Sequence, residues 1–255
     1  MPLTSFVGID MAWRIDGNHS GIAVMAGDEL QVRLEAVSTE IASMTAVVEY
    51  VTQHAGADAV VAIDASLVVR NETGQRACER MIAREFGRYH AACHPSNLGR
   101  PHATTGMELV RALERSGFRH DFEVASAKRR SGRWVLEVYP HPAMVRMFNL
   151  DRIIPYKKGT PAQKRAGLTT LRRHLRALAD GSRGLVMSPI LSRLLAEDLR
   201  EFRGTRLKRH EDTLDAIFCA YLAWHCWRWG GERNEMFGTL EDGYIVVPAR
   251  PEQRE

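Results

Sequence analysis

The sequence predicts one α/β domain over residues 1–255, with a mixed β-sheet of strand order 3-2-1-4-5, an antiparallel strand 2, and helices on both faces. Two apolar runs that each end at an aspartate, Val7-Gly8-Ile9-Asp10 and Val61-Ala62-Ile63-Asp64, indicate buried strands. Hairpin signals and a helical period lie between these runs, and a crossover helix favours parallel strands. Strand 4 is therefore expected beside strand 1 and parallel to it.

Strands 1 to 3 are predicted to form an antiparallel meander over residues 5–12, 21–25 and 30–37. Turns are indicated by Asp16-Gly17-Asn18 and by Gly27-Asp28, because glycine, asparagine and aspartate favour tight reversals of the chain. Strand 3 alternates apolar and polar residues, which is typical of a strand with one buried face.

The rest of the chain is predicted to combine helices with two more strands of the sheet. A helix that Ser38 or Thr39 can cap leads to strand 4 at 59–63, and strand 5 covers 134–139. Further helices are expected near 72–86, 107–115, 161–178, 189–201 and 211–229, with a short strand near 244–247. Residues from about 88 to about 130 contain several prolines and glycines and one helix. We interpret them as a helical insertion within the single domain.

The composition argues against several classes of protein. Apolar residues make up 45% and charged residues 26%, and no apolar run reaches the ~20 residues that span a bilayer. The N-terminus lacks the basic and apolar segments of a signal peptide. The four cysteines form no CxxC pair, so a disulfide framework and a zinc knuckle are poorly supported. We expect a cytoplasmic protein with no membrane partner.

A basic segment lies near the middle of the chain. The net charge is +4, but residues 128–176 carry 13 Lys and Arg against two acids, Glu137 and Asp151. This excess favours an anionic partner, with nucleic acid as the main candidate, although a solvated basic helix face would give the same pattern. The pattern does not distinguish DNA from RNA.

Four aspartates are the candidate metal ligands. Asp10 and Asp64 end neighbouring parallel strands, so both carboxylates should emerge at the edge of the sheet where open α/β sheets bind ligands. Asp212 and Asp215 are spaced i, i+3 and share one face of a late helix. Asp212 has an alternative interpretation as a favourable charge at the start of that helix. Such close carboxylates repel each other unless a cation neutralises them.

Carboxylate oxygens are suitable ligands for Mg²⁺ or Mn²⁺, and two such ions ~4 Å apart can promote phosphodiester hydrolysis. We therefore predict a site that holds two ions, with Gly8 leaving room for a substrate backbone. The candidate catalytic residues are Asp10, Asp64, Asp212, Asp215 and Glu137. Glu137 is either a further ligand or general base, or an ion-pair partner of Arg76, Arg80 or Arg133.

The candidate substrate-binding residues are basic side chains expected near the acids: Arg76, Arg80, Lys157, Lys158, Lys164 and Arg165. Arginine and lysine can hold phosphate groups through charge-assisted hydrogen bonds, although an exposed salt-bridged face is the alternative. His94 and His141 are weaker candidates for proton transfer. The three tryptophans of the last helix are expected to pack against neighbouring elements or against a second copy in a homodimer: Trp224, Trp227 and Trp229.

Six motifs together characterise the chain: Val7-Gly8-Ile9-Asp10, Ile63-Asp64-Ala65-Ser66, Arg76-Ala77-Cys78-Glu79-Arg80, Leu136-Glu137-Val138-Tyr139-Pro140, Glu211-Asp212-Thr213-Leu214-Asp215-Ala216 and Gly243-Tyr244-Ile245. They resemble the ribonuclease H-like superfamily, and the Asp-x-x-Asp pair is most similar to its RuvC-type resolvase branch. More closely, the chain resembles domain of unknown function 429, a bacterial and archaeal family described as predicted nucleases of that fold. Ser66 stands where this family more often has proline, and Glu79 where it more often has another acid.

The resemblance implies a ribonuclease H-like fold and a metal-dependent nuclease that acts on nucleic acid. An actin-like or sugar-kinase-like ATP-dependent phosphotransferase is an alternative, because it shares the opening strand, aspartate and hairpin. The chain has no Gly-rich adenosine loop, which weighs against that alternative. A third possibility is a non-catalytic nucleic-acid-binding protein with the same fold.

Overall fold

The computed structural model describes residues 3–12, 19–180 and 183–250, and within them a seven-stranded mixed sheet forms the centre of the molecule. Its strands are β1 (Thr4–Asp10), β2 (Ser20–Gly27), β3 (Val32–Ile41), β4 (Ala59–Asp64), β5 (Arg119–His120), β6 (Arg133–Glu137) and β7 (Leu185–Val186). They pair in the order β5-β6-β4-β1-β2-β3-β7. β2 is antiparallel to both of its neighbours, and the other pairs are parallel. The strand order predicted from the sequence is thus found in the middle of the sheet, with one short strand added at each edge.

Helices flank the sheet on both faces, as predicted. They are α1 (Met44–His54), α2 (Ala77–Phe86), α3 (Thr105–Arg115), α4 (Glu123–Ser126), α5 (Pro140–Phe148), α6 (Pro161–Ala179), α7 (Pro189–Ala196) and α8 (Gly204–Trp229). Short 3₁₀ helices lie at Gly87–Tyr89, after α2, at Leu199–Glu201, after α7, and at Gly230–Glu232, after α8. β8 (Asn234–Thr239) pairs with β9 (Gly243–Pro248) in a separate hairpin. Among the described residues, no helix is long and apolar enough to cross a membrane.

Each central strand contributes to two apolar cores. Along β4, Val60 and Ala62 face the core that contains α2, α5, α6 and α8, whereas Val61 and Ile63 face the core beneath α1 and α3. Successive side chains of a strand point to opposite faces, so a continuous apolar run is needed where both faces are covered. This is the physical reason for the unbroken apolar sequence before Asp64.

The insertion predicted at about 88–130 contains α3, β5 and α4, and β5 pairs with β6. Its residues therefore extend the central sheet. The predicted turn Asp16-Gly17-Asn18 lies outside the described residues.

Helix α8 packs directly on the backbone of β1 and β2. A Cβ atom added to Gly8 would lie 2.1 Å from the carbonyl oxygen of Ala216, and one added to Gly21 would lie 2.5 Å from that of Asp212. The two glycines therefore permit the close approach of the helix, because any larger residue would push it away. The prediction that Gly8 leaves room for substrate is wrong, since the helix occupies that space.

Helix α8 also begins seven residues before the predicted start, at Gly204 instead of Glu211. Asp212 and Asp215 consequently lie in the third turn and beyond, where the partial charge of the helix N-terminus has faded. The interpretation of Asp212 as a helix-start charge is therefore wrong. The first turns of α8 were hard to recognise because they are polar, with Leu207 and His210 as their buried residues.

From the sequence, no helix is predicted at α5, because Pro140 and Pro142 are residues that commonly end a strand. Both prolines lie in the first turn of α5, where the backbone N–H groups have no partner within the helix and proline costs nothing.

Candidate functional site

Asp10 and Asp64 lie side by side at the carboxyl ends of two parallel strands. β1 and β4 pair in register, so that Asp10 is the direct partner of Asp64 across the ladder. β6 continues the sheet beyond β4 and places Glu137 opposite Ile63. The sheet topology thus brings the three acids together at the carboxyl ends of the central strands, as the sequence predicts.

Asp215 reaches the same edge from α8 and is completely buried, with 0% of its side chain exposed. Tyr156 donates a hydrogen bond of 2.7 Å to Asp215 Oδ1, and Lys157 Nζ lies 2.8 Å from Asp215 Oδ2. Oδ2 accepts no hydrogen bond from any described residue, so its contact with Lys157 is an ion pair without hydrogen-bond geometry. The consecutive residues Tyr156 and Lys157 therefore each contact one of the two oxygens of the Asp215 carboxylate.

Asp212 lies one turn before Asp215 and is engaged by a second lysine. Lys208 Nζ is 2.5 Å from Asp212 Oδ1 and 3.0 Å from Glu211 Oε1, so one ammonium is shared between two carboxylates. The spacing from Lys208 to Asp212 is i, i+4, which brings side chains together on a helix. That signal could have been found in the sequence if the helix had been predicted to start early enough.

The carboxylates of Asp10 and Asp64 have no such partners. Within the described residues, neither side chain accepts a hydrogen bond or forms an ion pair closer than 4 Å. Burial raises the pKa of Asp64 to about 7, against the attraction of Lys157, and the charge of Asp215 adds to the rise. Burial also raises the pKa of Asp10 well above its usual value, with further contributions from Asp215 and Asp64. These two acids are therefore poorly stabilised in their charged form.

Lys157 is the cation closest to the centre of this group. Burial alone would lower the pKa of its ammonium, but the carboxylates of Asp215 and Asp10 raise it well above the usual value. Its side chain is 30% exposed, whereas Asp215 beneath it is not exposed at all. Lys157 thus separates the buried Asp215 from solvent and keeps a positive charge beside the two strand-end aspartates.

A cleft of about 1500 Å³ opens above the acids. Its lining includes the acids Asp10, Asp64, Glu79, Glu137 and Asp212, the basic residues Arg76, Arg152, Lys157, Lys158, Lys208 and Arg209, and the histidines His19, His90, His94 and His141. The cationic groups attract an anion, whereas the bare carboxylates below them repel it unless a metal ion covers them.

Glu137 is held in a buried network with Arg76 and Glu79. The guanidinium of Arg76 donates hydrogen bonds of 2.9 and 2.6 Å to the two oxygens of Glu137, and its Nε donates one of 2.9 Å to Glu79. The backbone N–H of Leu67 donates to Glu137 as well. Of the alternatives for Glu137, the geometry favours the ion-pair partner. These hydrogen bonds occupy the guanidinium of Arg76. The side chain that the sequence predicts to bind substrate is therefore paired with Glu79 and Glu137.

The other predicted substrate-binding residues divide into two groups. Lys157 and Lys158 line the cleft, whereas Arg80, Lys164 and Arg165 do not. Arg80 is exposed and donates to the carbonyl oxygen of Gln75, and Arg165 donates to that of Phe202. The structure thus does not bring this second group to the acids.

The weaker candidates are also placed by the structure. His94 and His141 line the cleft, and burial lowers the pKa of His141 to about 4, which keeps its ring neutral. Trp224 and Trp227 are buried, and their indole N–H groups donate to the carbonyl oxygens of Asp28 and Arg130. Both therefore pack within the chain, and the homodimer stays a prediction.

The donor chemistry fits a divalent cation at Asp10 and Asp64. No three His, Cys, Asp or Glu side chains of the described residues converge closely enough to hold a metal ion as they stand. Mg²⁺, however, commonly binds proteins through one or two carboxylates and keeps several waters. Asp10 and Asp64, two adjacent carboxylates that are open to the cleft and have no hydrogen-bond or ion-pair partner in the described parts of the chain, meet that requirement.

Tyr156 and Lys208 contact the predicted ligands, but they were not predicted from the sequence. Tyr156 lies 59 residues from Asp215 along the chain, and no local pattern marks it. Tyr156 contacts Asp215 and Lys208 contacts Asp212, so the sequence predicts the acids but not these two partners.

A family model described as protein of unknown function, DUF429, matches residues 8–241, and the chain belongs to this family. The match confirms the family that the motifs resemble. No curated protein and no solved structure matches the chain.

Proposed function

We propose that this member of the DUF429 family is a metal-dependent phosphodiesterase that hydrolyses nucleic acid on a ribonuclease H-like fold. The observation that carries the proposal is the pair Asp10 and Asp64, which lie in register at the ends of parallel strands and have no partner among the described residues. Both side chains are half-buried, and a carboxylate that is partly removed from water is costly to ionise when no cation compensates it. A divalent ion would supply that compensation.

The arrangement of the central strands supports the fold part of the proposal. Strand order 3-2-1-4-5 with an antiparallel strand 2 is what the resemblance to the ribonuclease H-like superfamily implies, and β3-β2-β1-β4-β6 has this order and these directions. A late helix, α8, crosses β1 and contributes acids to the same edge. These features agree with that superfamily in topology and in the position of the acids.

The charge around the cleft supports nucleic acid as the substrate. Arg152, Lys157, Lys158, Lys208 and Arg209 surround the acidic floor. Lysine and arginine neutralise phosphates and dominate the affinity of proteins for nucleic acid. A phosphate drawn in by these side chains would be placed directly above Asp10 and Asp64.

A bound Mg²⁺ or Mn²⁺ would act as a Lewis acid toward a phosphoryl oxygen and favour deprotonation of water. Asp10 and Asp64 would hold the ion, and the basic residues of the cleft would orient the phosphate. In the hydrolysis, the oxygen of a water molecule would bond to phosphorus as the water gives up one proton, the ester P–O bond would break, and the leaving oxygen would take up one proton, so that no net proton is gained or lost. Lys157 keeps Asp215 from adding an uncompensated negative charge.

The test is cleavage of labelled single-stranded and double-stranded DNA and RNA with Mg²⁺ or Mn²⁺. We expect metal-dependent cleavage that Asp10→Asn reduces by at least about 100-fold, because it removes one of two ligands. Asp242→Asn changes an exposed acid that does not line the cleft, and it should cleave like the wild type.

Cleavage that persists in Asp10→Asn would contradict the assignment. Tight nucleic-acid binding without any cleavage would favour the non-catalytic alternative, and micromolar binding of ATP would favour the phosphotransferase.

A further inference from the structure

Lys157 and Tyr156 together occupy Asp215, one of the four acids that the sequence predicts as metal ligands. Tyr156 donates to Oδ1 at 2.7 Å, and Lys157 Nζ lies 2.8 Å from Oδ2. Because Asp215 is completely buried, the side that faces the cleft is covered by Lys157. A metal ion could bind Asp215 only if Lys157 moved away.

Asp212 is engaged in a similar way. Its Oδ1 lies 2.5 Å from Lys208 Nζ, and the same ammonium also contacts Glu211. Among the described residues, the acids of the set that keep both carboxylate oxygens without a protein partner are therefore Asp10 and Asp64. Two carboxylates at adjacent strand ends provide ligands for one ion.

The charges at the centre of the site also indicate that one metal ion is bound. When the separate group of Lys208, Asp212 and Glu211 is left aside, Asp10, Asp64 and Asp215 carry three negative charges when ionised, and Lys157 carries one positive charge. The remaining two negative charges are balanced by one divalent cation. A second divalent ion ~4 Å from the first would come close to the Lys157 ammonium, and like charges repel strongly in a partly buried site.

We infer that the site holds one divalent cation, bound by Asp10 and Asp64, and that Lys157, fixed by Asp215, takes the position of the second cation. This inference rests on the proposed function and replaces the two ions predicted from the sequence. Lys157 lines the cleft and its side chain is 30% exposed, so its ammonium can contact a phosphoryl oxygen of the substrate. Asp215 and Tyr156 are positioning residues that hold Lys157 and do not bind the ion.

The test is the number of Mn²⁺ ions bound by the full-length protein, measured by calorimetry and by electron paramagnetic resonance of free Mn²⁺. The wild type should bind one ion. Lys157→Met frees Asp215 and should bind two, whereas Lys157→Arg keeps the charge and should bind one. Lys158→Met changes the neighbouring exposed lysine and should also bind one.

Two ions in the wild type would overturn the inference and leave metal-dependent hydrolysis intact. A single ion in Lys157→Met would also overturn it, because Lys157 would not be the group that excludes the second ion. One ion in a wild type that cleaves no nucleic acid would support the cation arrangement while the proposed function fails. No bound ion in the wild type would overturn both, and this measurement does not depend on whether any variant folds.

Discussion

Two groups of acids lie close to the carboxyl ends of neighbouring strands, and they differ in their exposure and in their partners: Glu79 and Glu137 are buried, whereas Asp10 and Asp64 are half-buried. Glu137, at the end of β6, and Glu79, on α2, share the guanidinium of Arg76 and accept further backbone hydrogen bonds. Asp10 and Asp64, at the ends of β1 and β4, accept no hydrogen bond from the described residues. Glu79 and Glu137 show that a buried acid does not by itself indicate a ligand site. The absence of a compensating partner is the more informative observation.

The first prediction has the largest expected effect and concerns the compensated pair. Arg76→Met leaves two buried glutamates without their shared cation, and breaking a buried ion pair in this way costs about 3–5 kcal/mol of unfolding free energy. Urea denaturation followed by circular dichroism measures the loss. Arg80→Met, on the exposed surface of helix α2, which begins just after Arg76, should change stability by less than about 0.5 kcal/mol. A loss below about 1 kcal/mol for Arg76→Met would remove the distinction between the two groups of acids.

The second prediction concerns the uncompensated pair and is a pH dependence of stability. The pKa of Asp64 is raised from 3.8 to about 7 in the folded protein, mainly by burial. Between these values the folded state keeps a proton that the unfolded state has lost, so raising the pH favours unfolding. Stability should therefore fall as pH rises from about 4 to about 7, by up to about 1.4 kcal/mol per pH unit.

The measurement is the unfolding free energy at several pH values in a chelator, for the wild type and for Asp64→Asn. The variant should show a smaller fall, because its amide does not ionise. Added Mn²⁺ should reduce the fall in the wild type, since a bound cation stabilises the ionised carboxylate. A wild type whose stability is independent of pH in this range would show that Asp64 is compensated by a group we have not identified.

The third prediction concerns Asp215, which is an intermediate case because it belongs to the predicted acid set and yet has partners. Tyr156→Phe removes one hydrogen bond to a buried carboxylate and should cost roughly 2 kcal/mol. Thermal denaturation at neutral pH measures this effect. Tyr50→Phe changes a half-buried tyrosine of helix α1 that packs against the opposite core, and this control should have a smaller effect. Equal effects of the two variants would mean that Tyr156 does not stabilise Asp215.

The central strands and the two strand-end aspartates could be predicted from the sequence because their signals are local. An unbroken apolar run marks a strand covered on both faces, and the acid that follows it marks the end of the strand. The parallel pairing of β1 and β4 then follows from the crossover helix between them. These steps use short segments of chain and general rules of topology.

The partners of the acids could not be predicted in the same way. Arg76 lies 61 residues before Glu137, and Tyr156 lies 59 residues before Asp215. Contacts over such distances depend on the complete packing of the sheet and helices, and no local pattern distinguishes Arg76 from the exposed Arg80. The sequence therefore identified the acids but not which of them were already compensated.

The most direct test of the central claim is a crystal of the protein soaked in Mn²⁺ and measured at a wavelength where manganese scatters anomalously. We expect one anomalous peak between the carboxylates of Asp10 and Asp64, with Lys157 still paired with Asp215. A peak bound by Asp215 after displacement of Lys157, or no peak beside Asp10 and Asp64, would contradict it.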